Sequence, residues 1–588
     1  PPGAPRLVHP EAPRPTTAAD ALGATPLFSD LDHGTVESIA ARATPIELEA
    51  GQWLFRQDDP PDSLYVLVSG RLEVLVGEDD EEVVNILHPG TVIGELGLLS
   101  RAGRAASVRA RRDSRLLRLG ADEFDRLVRQ EPVSRALLRT LATQLQSSRA
   151  RSVPGADVAT TLTLVPAAPC GDFDRIAALL AAALRGFGTV AVLDEESGDP
   201  VASLERAERD NDRVLLVART EDLSDRWRRF CLRQADRVIA VAGPETPSAP
   251  ADERLHGCEL FWIRGAPGTM APWLDALSPR ARYVLRGEDL EASVSAAARR
   301  LSGRSLGLVL SGGGARAFAH LGVIEELEAA GIAIDRVSGV SMGAFIGGMF
   351  AAGMNAAEVD ARCYEGWVRS NPLRDYVFPR HALIRGQRVR EMLATHLPGV
   401  IEELPREFAC LATDLRAGEA HVFRRGSLAR AVGPSLALPG IGPPQHADGR
   451  LLIDGGLLNN LPLGLLDRGE GPLIAADAVA SRGKRGEENG APDPQPRETR
   501  EPRDPRLPGI GETLVRSVLI GGVEATRAAR RRADLLIVPE DVGVGMLEWH
   551  QIDAAKEAGR RAAREALELG VGELEAAGRE RSEMVPDL

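Results

Sequence analysis

The sequence is nearly without lysine, has no cysteine pairs at metal or disulfide spacing, and has no long apolar run. Each shortage removes a class of function. Lysine occurs only at 484 and 556, so the 71 basic residues are almost all arginine, which reads as genomic base composition and carries no function by itself. The 85 acidic residues outweigh them and leave a net charge of −14. That balance offers no broad attraction to nucleic acid or to an anionic bilayer, so any membrane contact has to be local and apolar. The five cysteines, Cys170, Cys231, Cys258, Cys363 and Cys410, show no CxxC spacing. They fit neither a disulfide framework nor a zinc site and point to a reducing, cytoplasmic compartment. No stretch of about 18 apolar residues appears, and the start, Pro1-Pro2-Gly3-Ala4-Pro5, has neither a charged nor an apolar leader region. Both observations argue against a membrane span and against secretion.

What is present is ordinary globular material: 44% hydrophobic and 27% charged residues over 588 positions. At roughly 150 residues per domain that length implies three to four modules. Residues 1–22 are rich in Pro, Ala and Thr and are expected to be a disordered tail. From 23 to 150, short alternating runs such as Ser63–Val68 and Arg71–Val76, punctuated by Gly70, Gly77 and Gly90, predict a β-roll. Helical spacing of Phe124, Leu127, Val128, Leu137, Leu138, Leu141 and Leu145 closes that module. Between 155 and 300, apolar strands such as 161–165, 190–193, 214–217 and 238–241 alternate with helices and predict an α/β layer domain of unassigned role. A third α/β block is expected over 304–573, interrupted by a charged, Pro-rich insert at 481–508 and followed by a tail at 574–588.

The chemistry concentrates in that third block. The apolar strand Leu306–Leu310 runs into Ser311-Gly312-Gly313-Gly314-Ala315-Arg316, and Phe318–Ala330 then reads as an amphipathic helix. Three glycines let backbone N–H groups approach an anion at a helix start, whether phosphate or oxyanion; the Lys-Ser/Thr of a Walker loop is missing. Gly339-Val340-Ser341-Met342-Gly343 follows a short strand and precedes a helix, the context of a nucleophile elbow, and marks Ser341 as nucleophile. Leu451-Leu452-Ile453-Asp454-Gly455-Gly456 offers a carboxylate at a strand end, and Asp454 is the candidate base. An ordinary aspartate near pKa ~3.9 needs desolvation and a short hydrogen bond for that work. The downstream histidines His381, His396, His421, His446 and His550 are the alternatives for a base. His320 is expected to be packed, and Asp414 to support structure.

These three motifs, in this order, resemble the patatin-like phospholipases. The likeness extends through Ala412-Thr413-Asp414-Leu415, 434–439 and Asn459-Asn460-Leu461-Pro462 and covers about residues 304–573. It implies a Ser341–Asp454 dyad, an oxyanion hole from Gly312, Gly313 and Gly314, loop support by Arg316, and no calcium or other metal. The family pattern has Gly where this chain has Ala317.

In the first module, Ile93-Gly94-Glu95-Leu96-Gly97-Leu98-Leu99-Ser100 and Gly103-Arg104-Ala105-Ala106-Ser107 combine a carboxylate suited to ribose hydroxyls with an arginine suited to a phosphodiester. They resemble the phosphate cassette of cyclic nucleotide-binding domains. The resemblance implies a cyclic nucleotide, of cAMP type given Ala105, held by Gly94, Glu95, Leu96, Arg104 and Ala105. The module order resembles the neuropathy target esterase group of lysophospholipases, though this chain shows one nucleotide module and no membrane helix, so anchoring does not carry over. The reading is multidomain: a cyclic-nucleotide-binding β-roll, a middle α/β layer domain and a patatin-like α/β hydrolase domain. Its expected function is a phospholipid or lysophospholipid esterase with cAMP as allosteric ligand, cytoplasmic and peripheral on the membrane. The rivals are a nucleotide sensor with little turnover and a hydrolase of neutral esters.

Overall fold

A computed structural model describes residues 18–23, 25, 28, 31–77, 82–100, 102–129, 134–135, 161–247, 252–378, 380–479, 522–539 and 543–583. Within them lie three sheets. The first has six antiparallel strands and is built on the long pair Ser63–Val76 and Ser107–Gly120. The runs 63–68 and 71–76 are therefore one strand and not two. Gly70, with φ of 100°, absorbs a register shift, and a Cβ there would strike the Ser114 hydroxyl. The helix Ala121–Val128 packs Phe124 and Leu127 onto this roll. Leu137, Leu138, Leu141 and Leu145 lie outside the described residues. The N-terminal tail expectation needs correction at its end: Ala18–Gly23 form a helix, and Leu22 is buried against the roll because it completes the cluster with Phe28, Val36 and Leu64.

The second sheet is entirely parallel. Its six strands run in the order Ala281–Leu285, Glu259–Ile263, Arg237–Ala242, Thr161–Pro166, Arg213–Val217, Val190–Leu193. Helices cover both faces, which is why nearly every strand position is buried and apolar. The third sheet has eight strands. Its parallel centre places Ile334–Val340 between Leu306–Leu310 and Glu407–Asp414, and Arg450–Asp454 pairs antiparallel with the C-terminal end of Glu407–Asp414 on the same side as Ile334–Val340, while Glu419–Phe423 takes the other side.

The helix following the glycine loop differs from expectation. It spans Ala319–Ala329 after a 3-10 turn at Gly314–Phe318 and is buried around most of its girth. The reason is a second helix, Ile552–Glu583, lying on its outer side. The two cross where Gly322 faces the Lys556 carbonyl and Gly559 faces the Ala319 carbonyl, with no room for a Cβ at either position. That C-terminal helix continues through most of the expected tail at 574–588. The expected insert at 481–508 lies outside the described residues. No described helix is long and apolar enough to cross a membrane, and no group of metal-ligating side chains occurs among the described residues.

Candidate active site

Ser341 sits where the buried strand Ile334–Val340 reverses into the fully buried helix Met342–Ala351. Its φ of 53° and ψ of −128° lie outside the comfortable regions for a residue with a Cβ, a strain of about 1–3 kcal/mol that the surrounding structure has to hold. The flanking glycines are required by crowding. A Cβ on Gly343 would strike the Leu310 and Ser311 carbonyls, and one on Gly339 would lie 2.5 Å from the Gly343 carbonyl. Ser435, which carried no role in the sequence reading, pins the turn: its hydroxyl accepts from Ser341 N–H at 2.9 Å and donates to the Leu411 carbonyl at 2.6 Å. The start of the following helix places partial positive charge at the serine.

Asp454 ends its strand in register with Ala412, while Val340 is in register with Leu411. Both strands therefore lie along the same edge of Glu407–Asp414, opposite Glu419–Phe423, and meet end to end at neighbouring rungs, so Ser341 and Asp454 adjoin there. The carboxylate is 2% exposed. Oδ1 accepts from Gly456 N–H at 2.8 Å, and Oδ2 has no hydrogen-bond partner among the described residues. Burial pushes its pKa up to about 6, against the opposing Gly456 amide and the neighbouring Ser341 hydroxyl. The hydroxyl is thus near enough to influence the carboxylate without a closed hydrogen bond to Oδ2, the loose contact common in ligand-free sites.

The glycine loop meets the same place. The Gly312 N–H donates to the Asn460 carbonyl at 3.3 Å, so it is engaged in the fold and is not an open donor. This corrects the expectation of three free amides: Gly313 and Gly314 remain without an acceptor among the described residues. Gly314, at φ of 56°, lies so close to the Met546 carbonyl that no side chain fits. Arg316 Nε donates to the Val544 carbonyl at 2.8 Å and ties the loop to that same segment. Ala317 is fully buried in the 3-10 turn, and its methyl is accommodated there. Asn460 places its side-chain oxygen against both Gly312 and Gly456, joining the glycine loop to the Asp454 turn.

Ser341 and Gly314 open onto an apolar cavity of about 40 Å³ walled by Trp367, Ile384, Val389, Leu438 and Trp549, with no charged side chain in its lining. The two tryptophans stack at 4.4 Å. A larger cavity of about 350 Å³ lies between the middle and C-terminal sheets, lined by Arg299, Arg300, Arg406, Asp335 and Glu407. It contains neither Ser341 nor Asp454, so the smaller cavity is the one associated with the chemistry. No histidine lines that smaller cavity. His320 is fully buried, bonds the Ser311 carbonyl through Nε2 at 2.9 Å, and is pushed down to about 4 by burial, which suits a packed neutral ring. Asp414 bonds the Arg416 N–H and Arg450 at its own turn, away from Asp454.

In the roll, Glu95 begins a short helix and is buried, Leu96 and Ala105 are exposed, and Gly94 takes φ of 87°. Arg104 is 2% exposed and points inward. It donates to the Gly94 carbonyl at 3.0 Å and the Ser63 carbonyl at 2.8 Å, pairs with Asp62 at 3.3 Å, and lies over the Phe55 ring. Its Nε has no partner among the described residues. Gly94 and Arg104 are in contact, and a phosphate ligand would exchange protein oxygens for its own on this guanidinium.

A family model described as patatin-like phospholipase matches residues 308–467, and one described as cyclic nucleotide-binding domain matches residues 45–131. An uncharacterized NTE family protein of Mycobacterium tuberculosis is 35% identical over 578 residues, covering 94% of this chain and 97% of that protein. Patatin-like phospholipase domain-containing protein 6 of Homo sapiens is 27% identical over 532 residues, 75% of this chain and 38% of that protein. The neuropathy target esterase of Drosophila persimilis is 27% identical over 497 residues, 71% of this chain and 34% of that protein. The chain thus spans little more than a third of these animal relatives.

Proposed function

We propose, from the premise that this chain belongs to the NTE family of patatin-like phospholipases, that it hydrolyses acyl esters of phospholipids or lysophospholipids through a Ser341–Asp454 dyad. The observation that carries this reading is a buried carboxylate with one unsatisfied oxygen beside a strained serine at an uncharged apolar cavity. Ionised Asp454 takes the Ser341 proton as Oγ attacks the ester carbonyl. The tetrahedral oxyanion is held by the Gly313 and Gly314 amides, at about 3 kcal/mol per donor in such sites. Collapse expels the alcohol, which receives the proton from Asp454 and leaves an acyl-Ser341. Water then attacks the acyl group, losing its proton to Asp454, and the acid leaves as Ser341 is reprotonated.

The uncharged lining suits an acyl chain and leaves the polar head group outside the cavity. That same feature supports the rival reading of a neutral-ester hydrolase, which a comparison of lysophospholipid with an uncharged ester of equal acyl length separates. Regulation belongs to the proposal as well: cAMP bound at Glu95 and Arg104 changes the esterase rate, which requires unequal affinity for the active and inactive arrangements. The test of the chemistry is covalent labelling with a fluorophosphonate, read by peptide mass. Modification at Ser341 in the parent, lost in Ser341→Ala, is expected; an unlabelled Ser341 in a folded parent would move the protein to the sensor reading.

A further inference from the structure

Residues 371–390 build a finger on the rim of the Ser341 cavity. Arg385 N–H donates to the Asp375 carbonyl at 2.8 Å, Tyr376 bridges Ile384 antiparallel, and Val377 N–H donates to the Leu383 carbonyl at 3.1 Å. The base is anchored, because Leu383 and Ile384 N–H groups each donate at 3.0 Å, to the Gly440 and Ile441 carbonyls. Leu373 and Ile384 face inward and line the cavity. Outward, the finger carries the two most exposed large apolar side chains among the described residues, Tyr376 at 75% and Phe378 at 89%. Exposed aromatics at the end of a hydrogen-bonded turn have no role in folding the domain, since neither contributes to a core cluster.

Arginines also cluster around them. Arg374, Arg380, Arg385, Arg388 and Arg390 are all exposed, and none makes an ion pair among the described residues. Two acids lie among them, Asp375 accepting from the Gln387 N–H and Glu391 from the Gln387 side chain, so the five arginines outnumber the carboxylates. In a chain of net charge −14, this finger is a local positive patch with apolar tips.

We propose that the finger docks on an anionic lipid surface, with Tyr376 and Phe378 entering the boundary between headgroups and acyl chains and the arginines facing anionic headgroups. The two exposed aromatic tips beside the mouth of an uncharged apolar cavity select a lipid surface as that occupant, with the arginines complementary to its anionic headgroups. Docking sets the cavity mouth against the surface from which an ester enters, so the purpose of the device rests on the lipid-esterase reading, while the docking itself rests on the finger.

The experiment is co-sedimentation of the full chain with vesicles of phosphatidylcholine, with and without phosphatidylglycerol, alongside hydrolysis of a water-soluble short-chain ester. The parent and Ser341→Ala are expected to bind the phosphatidylglycerol vesicles equally, and more weakly as salt is raised. Arg374→Gln/Arg380→Gln/Arg385→Gln is expected to bind on the order of a hundredfold more weakly, about fivefold per arginine. Tyr376→Ser/Phe378→Ser is expected to lose on the order of tenfold. Both variants should hydrolyse the soluble ester at the parental rate, which also reports that they fold. Parental vesicle binding by both folded variants, or no preference of the parent for phosphatidylglycerol, would overturn the proposal. Vesicle binding by a parent that cleaves no ester would leave docking standing and sink the esterase reading instead.

Discussion

At the scale of the residue, Asp454 holds the account together, because burial raises its pKa to about 6, which suits the proposed role of a base near neutral pH. The folded state binds this proton more tightly than the unfolded chain. Its stabilising contribution is therefore fully present below the unfolded value near 3.8 and is lost as pH rises through about 6. Asp454→Asn is accordingly expected to abolish ester hydrolysis and yet to raise stability at pH 8 by up to about 3 kcal/mol, with the gain vanishing below pH ~4. Chemical denaturation of both proteins across that range checks the sign, and a variant less stable at pH 8 would count against a desolvated carboxylate. In the parent, kcat/KM should rise with pH through about 6. The strained turn at Ser341 and the strand end at Asp454 were legible in the sequence because glycine spacing is a local signal. Ser435 and Asn460 were not assigned roles, since each acts on a partner brought from far along the chain, Ser341 in one case and the Gly312 turn in the other.

At the scale of the element, the glycine loop depends on helix packing behind it. Ala319–Ala329 continues directly from the loop's 3-10 turn and is clamped against Ile552–Glu583 at Gly322 and Gly559. A methyl at Gly322 meets the Lys556 carbonyl, a backbone atom that cannot rotate away. Gly322→Ala is expected to lower stability by about 1–3 kcal/mol and to reduce esterase activity by loosening the loop, read from thermal melting and initial rates; unchanged values for both would show that the helices can separate without cost. The strand and turn pattern of this domain could be read from apolar runs and glycines. The buried outer face of Ala319–Ala329 could not, because the helix covering it lies more than 200 positions later. The same distance problem hid the contribution of Met546 and Val544 to the loop.

At the scale of the molecule, the arginines that looked like base composition turn out to join the modules. Arg112, 1% exposed, leaves the roll to pair with Glu208 at 2.7 Å and to donate to the Gln234 carbonyl at 3.1 Å in the middle domain. Arg233 returns to Asp113 at 2.8 Å. The stretch from Arg233 to Asp236 thus supplies contacts from the middle domain to the roll. On the other side, Arg299 pairs with Asp335 at 2.6 Å and Arg300 with Glu407 and Glu470 at 2.9 Å, at the foot of the strand that ends in Ser341. Arg104 lies just ahead of the strand Ser107–Gly120 that carries Arg112, so the proposed nucleotide site and this seam share one segment of the roll. Arg112→Ala is expected to cost about 3 kcal/mol, since it removes a buried guanidinium from half-buried Glu208 and buried Asp236, and, on the proposed regulation, to remove the response of esterase rate to cAMP, as Arg104→Ala should also do. A response of parental size in both variants would separate the nucleotide module from catalysis.

The most direct test of the central claim is fatty-acid release from lysophosphatidylcholine by the parent, Ser341→Ala, Asp454→Asn and the double variant. A dyad acting as one unit predicts release by the parent alone, with both single variants and the double variant at the same residual rate. Release that survives in Asp454→Asn at a rate near the parent's, while Ser341→Ala is silent, would contradict the account by showing that another group takes the serine proton.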